Sequence, residues 1–176
     1  FLVIDIDHPN KQIPMGQVIH AKTPFKTIIS NRKHILYDKE RGIFSISDCY
    51  PYIEQYDVYG KHIKTFDLSS IPIIEKAVNT AKKFSDQEKS VYIYIRDAYL
   101  ANEHIYILCS SWDSQGDYKV NSILELSIND GMKHVSTYIL PHDIYSSFCI
   151  SDSYLFASQE GTGTTIEKIK IGNAKK

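Results

Sequence analysis

Hydrophobic and polar positions are mixed in short runs along much of this chain, and one pattern of them occurs three times. Tyr52-Ile53-Glu54-Gln55-Tyr56-Asp57-Val58, Ser122-Ile123-Leu124-Glu125-Leu126-Ser127-Ile128 and Thr165-Ile166-Glu167-Lys168-Ile169-Lys170-Ile171 share the form x-Ile-x-x-apolar-x-aliphatic. Short runs of this kind, rich in Ile, Val and Tyr and bounded by turn residues, read as strands. Each copy runs into residues that tolerate the positive φ of a hairpin turn: Tyr59-Gly60, Asn129-Asp130-Gly131 and Gly172-Asn173. After the first two turns a second strand is expected over 62–67 and 133–140, closing a hairpin each time.

Upstream of each copy lies a more apolar strand, over 43–46, 104–109 and 154–157, and the last two are preceded by a further strand over 92–96 and 145–150. Four strands per repeat, running from a buried inner strand to a polar outer hairpin, is the sequence form of a β-propeller blade. The copies lie about 70 and about 43 positions apart, and the shorter interval matches the roughly 40 to 50 residues of one blade. The longer interval requires an insertion. In 69–90, Ile73, Ile74, Ala77, Val78, Ala81 and Phe84 recur at three- and four-residue steps, which predicts a helix near 72–85 with Pro72 in its first turn. Glu75, Lys76, Lys82 and Lys83 then face water. Such a stripe ordinarily packs within its own domain, which favours a helix on the rim or a neighbouring blade over a partner-binding helix.

Pro9, Pro14, Gly16 and Pro24 punctuate the first part of the chain, where strands are expected over 1–6, 17–20, 27–29 and 35–37, the first two as an outer hairpin. The reading is an all-β single domain over 1–176: propeller blades of four antiparallel strands, about three of them in an incomplete ring, with one short inserted helix. Rings close with about four to eight blades. Three arrangements remain open: the C-terminal portion of a longer propeller, favoured by strands missing at both ends; two copies completing one ring by self-association through open blade edges; or an open curved sheet.

Composition changes this picture little. Of 176 residues, 43% are apolar and 23% charged, as in packed globular domains, and 13 tyrosines add to the strand tendency. Twenty basic against 21 acidic side chains give a net charge of -1, so no broad positive field points to nucleic acid or an anionic membrane. No apolar run approaches the roughly 20 residues of a membrane helix. The first residue is Phe1, and the expectation is that any targeting peptide was removed or lies upstream. Cys49, Cys109 and Cys149 have no metal-type spacing, and Cys109 and Cys149 fall in apolar strand patterns, so buried, unreactive thiols are expected.

The first hairpin carries a likeness. Its Tyr56-Asp57, Gly60 and the strand 62–66, together with the apolar inner strands, resemble the six-bladed, TolB-like propellers of Bacteroides-type bacteria, in which an outer strand ending in Tyr-Asp or Phe-Asp, a Gly turn and a strand such as Lys-x-Ile-x-x-Phe recur. The second and third copies depart from that pattern, and the likeness fades from the first hairpin across 43–171. What the resemblance implies is an extracytoplasmic binding role in the periplasm or at the cell surface, with a protein or glycan ligand; it carries over no catalytic residue and no cofactor.

Chemistry-bearing groups are sparse. Arg96-Asp97 is expected at the end of an inner strand, where an arginine fork could clamp an anion or serve in an intrablade ion pair. Trp112-Asp113 is placed in a long loop over 110–119 with Gln115, Gly116, Asp117 and Tyr118, the best single guess for a ligand contact. His142-Asp143 follows Pro141 between two blades, as a turn or as acid–base groups at a channel mouth. Asp5, Asp7 and His8 could hold a hard cation, yet no zinc or EF-hand spacing extends them, and a solvent-facing strand end is the simpler reading. No G-x-S-x-G, P-loop, H-E-x-x-H or dinucleotide pattern is present, and Gly161-Thr162-Gly163 reads as a hairpin loop. The binding candidates are thus Arg96, Asp97, Trp112, Asp113 and His142, with no metal and no cofactor. A non-enzymatic binding propeller leads; the rival is a lyase or hydrolase acting on a polysaccharide or peptide, which requires Arg96, His104 and His142 to converge near the axis.

Overall fold

The computed structural model describes residues 2–4, 12–85, 92–112, 115–161 and 165–171. Strand β1 (Leu2–Ile4) pairs antiparallel with β2 (Gln12–Pro14). The short helix α1 (Pro24–Ser30) follows, and then a four-stranded antiparallel sheet of β3 (Lys33–Asp38), β4 (Gly42–Ser47), β5 (Tyr52–Tyr56) and β6 (His62–Asp67). Helix α2 (Pro72–Ser85) leads to a second four-stranded sheet, β7 (Ile95–Ala101), β8 (His104–Trp112), β9 (Tyr118–Ser127) and β10 (Lys133–Ile139). A third sheet holds β11 (Tyr145–Ser151), β12 (Tyr154–Gln159) and β13 (Ile166–Lys170). Within each sheet the strands lie in chain order, so each is a meander of the blade type, and the chain is all-β with two short helices. The three sequence copies are β5, β9 and β13, each the third strand of its sheet.

The sheets stack face to face. From β8, Ile105, Ile107 and Cys109 pack with Phe44, Ile46 and Ile53 of the first sheet, whereas Tyr106 and Leu108 pack with Phe148, Ile150, Leu155 and Ala157 of the third. A sheet covered on both sides needs apolar residues in both phases, which is why β8 reads as an unbroken apolar run. Each such side chain contributes about 1.5–3 kcal/mol on burial. Ile74 of α2 enters the first of these cores with no exposed surface, and Ala77 and Ala81 are also buried, while Glu75, Lys76 and Lys82 face water as the periodicity predicts.

The first strands lie side by side, β3 against β7 and β7 against β11. One backbone bond repeats at the same place in every sheet: Asp48 N–H to Arg32 C=O at 3.2 Å, Ser110 N–H to Tyr94 C=O at 2.8 Å, and Glu160 N–H to Ile144 C=O at 3.0 Å. Register adds a second equivalence, since His34 pairs with Ile46, Asp97 with Leu108 and Ser147 with Ser158. His34, Asp97 and Ser147 therefore occupy one level of the three innermost strands.

Several expectations are corrected. Residues 27–29 are helical, because the Thr23 hydroxyl accepts from Lys26 N–H at 3.2 Å and Pro24 opens the turn. Residues 17–20 join no sheet; the Asn31 side-chain amide bonds to Ile19 there, accepting from its N–H and donating to its C=O, both at 2.8 Å. The partner of β1 is 12–14 rather than 17–20. β7 begins at Ile95, so 92–94 lie outside it and Arg96 stands near the start of the inner strand, at a bulge between Ile95 and Asp97, rather than at its end. Trp112 ends β8 opposite Tyr118, so 110–112 and 118–119 of the expected loop are paired strand. Cys149 is exposed, unlike Cys49 and Cys109, because Phe148 and Ile150 take the inward phase of β11. Asp5, Asp7, His8, Asp113, Thr162, Gly163, Gly172 and Asn173 lie outside the described residues, as does the side chain of Phe84.

Candidate functional site

Two features stand at the end of the molecule where the innermost strands begin. The larger is an open cleft of about 540 Å³ between the first turn of α2 and the edge of the second sheet. Pro72, Ile73 and Lys76 form its helical wall, Ser111, Trp112, Lys119, Asn121 and Ser122 its floor, and Ile139 and Asp143 the far side. The Trp112 ring meets Tyr118 edge to face, with centroids 5.5 Å apart, and the Tyr118 hydroxyl lies 2.9 Å from Ser110 Oγ, so the indole is braced by the sheet. Lys119 Nζ is paired with Asp143 Oδ1 at 2.7 Å, and Asn121 Nδ2 donates to Leu140 C=O at 3.4 Å. The cleft thus offers an aromatic ring, an exposed Ile139, amide and hydroxyl groups, the Lys119–Asp143 pair and a further cation in Lys76. Its volume lies within the roughly 300–1,000 Å³ of small-ligand sites.

The second feature is a chain of charged groups on the innermost strands. Asp97 Oδ2 accepts from Phe148 N–H of the third sheet at 3.0 Å, and Oδ1 accepts from Ala98 N–H at 2.9 Å. His34 Nδ1 stands 4.0 Å from Asp97 Oδ1, and its Nε2 is 3.1 Å from Asp48 Oδ1. That last approach has ion-pair distance but lies off the line of a good hydrogen bond. Asp48, only 2% exposed, holds Arg32 Nε with its other oxygen at 3.1 Å.

The sequence-derived candidates are not gathered into one site. Arg96 pairs with Glu160 at 3.2 Å, an ion pair between the second and third sheets rather than within a blade. His142 Nε2 lies 2.7 Å from Glu167 Oε1, and the Tyr145 hydroxyl donates to Glu167 Oε2 at 2.5 Å. His104 Nδ1 is 2.9 Å from Glu125 Oε1, and this carboxylate also accepts from Tyr106 (3.1 Å) and Tyr138 (2.6 Å). Arg96, His104 and His142 are each tied to a different acid, and only Asp97 and Trp112 fall in the two features above. Sequence reasoning passed over Arg32, His34 and Asp48. The available signal was phase: His34 shares the inward face of β3 with Leu36, where an apolar residue is expected. Lys76 and Asn121 had no signal, because the cleft forms only when α2 meets the second sheet.

Among the described residues, no three His, Cys, Asp or Glu side chains are arranged to hold a metal ion, and no helix is long and apolar enough to cross a membrane. No family model matches this chain, and no curated protein matches it.

Proposed function

We propose that this chain is a ligand-binding module of the propeller type that takes a saccharide in the Trp112 cleft. The observation that carries the reading is the cleft itself, in which a braced indole stands beside Asn121, Ser111, Lys119 and Asp143. A sugar ring has an apolar face that stacks on an aromatic ring and hydroxyls that need donors and acceptors around it, and these groups supply both. The stacked meanders with adjacent first strands support a place in a propeller ring, and the likeness of the first hairpin to TolB-like propellers of six blades supports a location in the bacterial cell envelope.

Trp112 is the only tryptophan of the chain, so its emission reports on the cleft without labelling. Titration with a panel of neutral and acidic bacterial and plant oligosaccharides is expected to change that emission saturably for at least one member. Trp112→Ala is expected to weaken the same ligand at least about tenfold by calorimetry, about 1.4 kcal/mol. A panel with no saturable member, or an affinity unchanged in Trp112→Ala, overturns the saccharide reading.

A further inference from the structure

The Arg32–Asp48 pair is not explained by the fold. At the same level of the second and third sheets, the backbone bond from Ser110 to Tyr94 and that from Glu160 to Ile144 are made where Tyr94 and Ile144 stand in place of the arginine. The stacked architecture therefore forms at this position without a guanidinium. In the first sheet, by contrast, a carboxylate is placed almost wholly out of water, at a desolvation cost of several kcal/mol. Its oxygens face the half-exposed Arg32 and the mostly buried His34. Asp48 Oδ2 stands at ion-pair distance, 3.1 Å, from Arg32 Nε. Among the described residues no hydrogen bond is made by the terminal nitrogens Nη1 and Nη2, which form the planar fork suited to an oxyanion, and the side chain is 48% exposed. The far end of the network is fixed as well, since Asp97 is locked by two backbone N–H groups.

We propose that Arg32 is an oxyanion-binding residue at the mouth of the innermost strands, taking a carboxylate or phosphate group of a ligand on Nη1 and Nη2, with Asp48 as its positioning residue. The site is separate from the Trp112 cleft and does not depend on the saccharide reading. Held at Nε, the fork loses little side-chain freedom on binding, so a small anion can be captured where a free surface arginine would bind too weakly to detect.

The test uses the full chain labelled with nitrogen-15, titrated separately with acetate and with inorganic phosphate at constant ionic strength, and read on the arginine side-chain resonances and, in every variant, on the backbone amides of residues 33, 34 and 48. Arg32 is expected to shift saturably with at least one anion, and the anion that acts identifies carboxylate or phosphate as the natural group. Arg32→Gln should abolish the saturable shift. Arg32→Lys, which keeps the charge and loses the fork, and Asp48→Asn, which loosens the grip on Nε, should each weaken binding at least about tenfold. Arg96→Gln should leave the titration unchanged. The proposal is overturned if neither anion saturates, if Arg32→Lys binds as tightly as the parent, or if Arg96→Gln abolishes binding equally.

Discussion

Glu125 shows what a single residue can demand of its surroundings. Only 3% exposed, it is sustained by the hydroxyls of Tyr106 and Tyr138 and by His104. A hydrogen bond to a buried charge contributes about 1.5–3 kcal/mol, so Tyr138→Phe should lower stability at neutral pH by about that much. The same contacts impose a pH dependence. Burial first, then the Glu125 carboxylate, pushes the Tyr138 hydroxyl from its ordinary value of 10.0 to about 12. Burial first, then the bond to Glu167, does the same to Tyr145. A group raised in the folded chain contributes in full below its unfolded value and loses that contribution as pH rises through the folded one. Melting temperature followed by circular dichroism should therefore fall between pH 10 and 12. Tyr138→Phe/Tyr145→Phe should start lower at pH 8 and fall less; parallel curves would count against these two phenols. Nothing in the sequence showed Glu125 as buried, since it sits between Leu124 and Leu126 in the phase usually given to solvent, and only the third sheet, stacked on that phase, takes it out of water.

At the scale of elements, strands were more legible than their ends. The repeated pattern, the apolar runs before it and the turn residues after it located β4, β5, β9, β10, β11 and β13. Boundaries depended on partners. β8 extends to Trp112 because Tyr118 is there to pair with it, and α1 displaces an expected strand because a threonine cap and a proline outweigh two isoleucines. One turn residue carries more than its share. Gly42 has φ +88, and a Cβ there would stand 2.3 Å from the Tyr56 carbonyl oxygen and 3.2 Å from Asp57 Cα, so β4 and the end of β5 can approach only at a glycine. Gly131, with φ +69, has open space around it. Gly131→Ala should cost about 1 kcal/mol from the left-handed backbone alone, and Gly42→Ala on the order of 2 kcal/mol or more because a backbone clash is added. Urea midpoints at unchanged slope would measure both, and equal losses would show that β4 shifts freely at this point.

For the whole molecule, the repeated isoleucine is a probe of stacking. Ile53 and Ile123, at the second position of the first and second copies, have no exposed surface, whereas Ile166 at the same position of the third copy is 65% exposed. The sequence treats the three alike; their difference arises because Ile53 is covered by the second sheet and Ile123 by the third, while no described sheet lies over Ile166. On that face Lys168 lies over the Tyr154 ring at 4.0 Å, its methylenes and charge shielding the aromatic surface. Burial, not residue type, should then set the energetics. Ile53→Ala and Ile123→Ala are expected to cost about 2–5 kcal/mol each as core truncations, and Ile166→Ala less than about 0.5 kcal/mol as a surface change. Denaturation at two protein concentrations tenfold apart separates the alternatives. A large loss in Ile166→Ala that depends on concentration would mean that a second copy covers this face, completing a ring by pairing; a small loss at both concentrations would mean that the 176-residue chain is stable with its third sheet open.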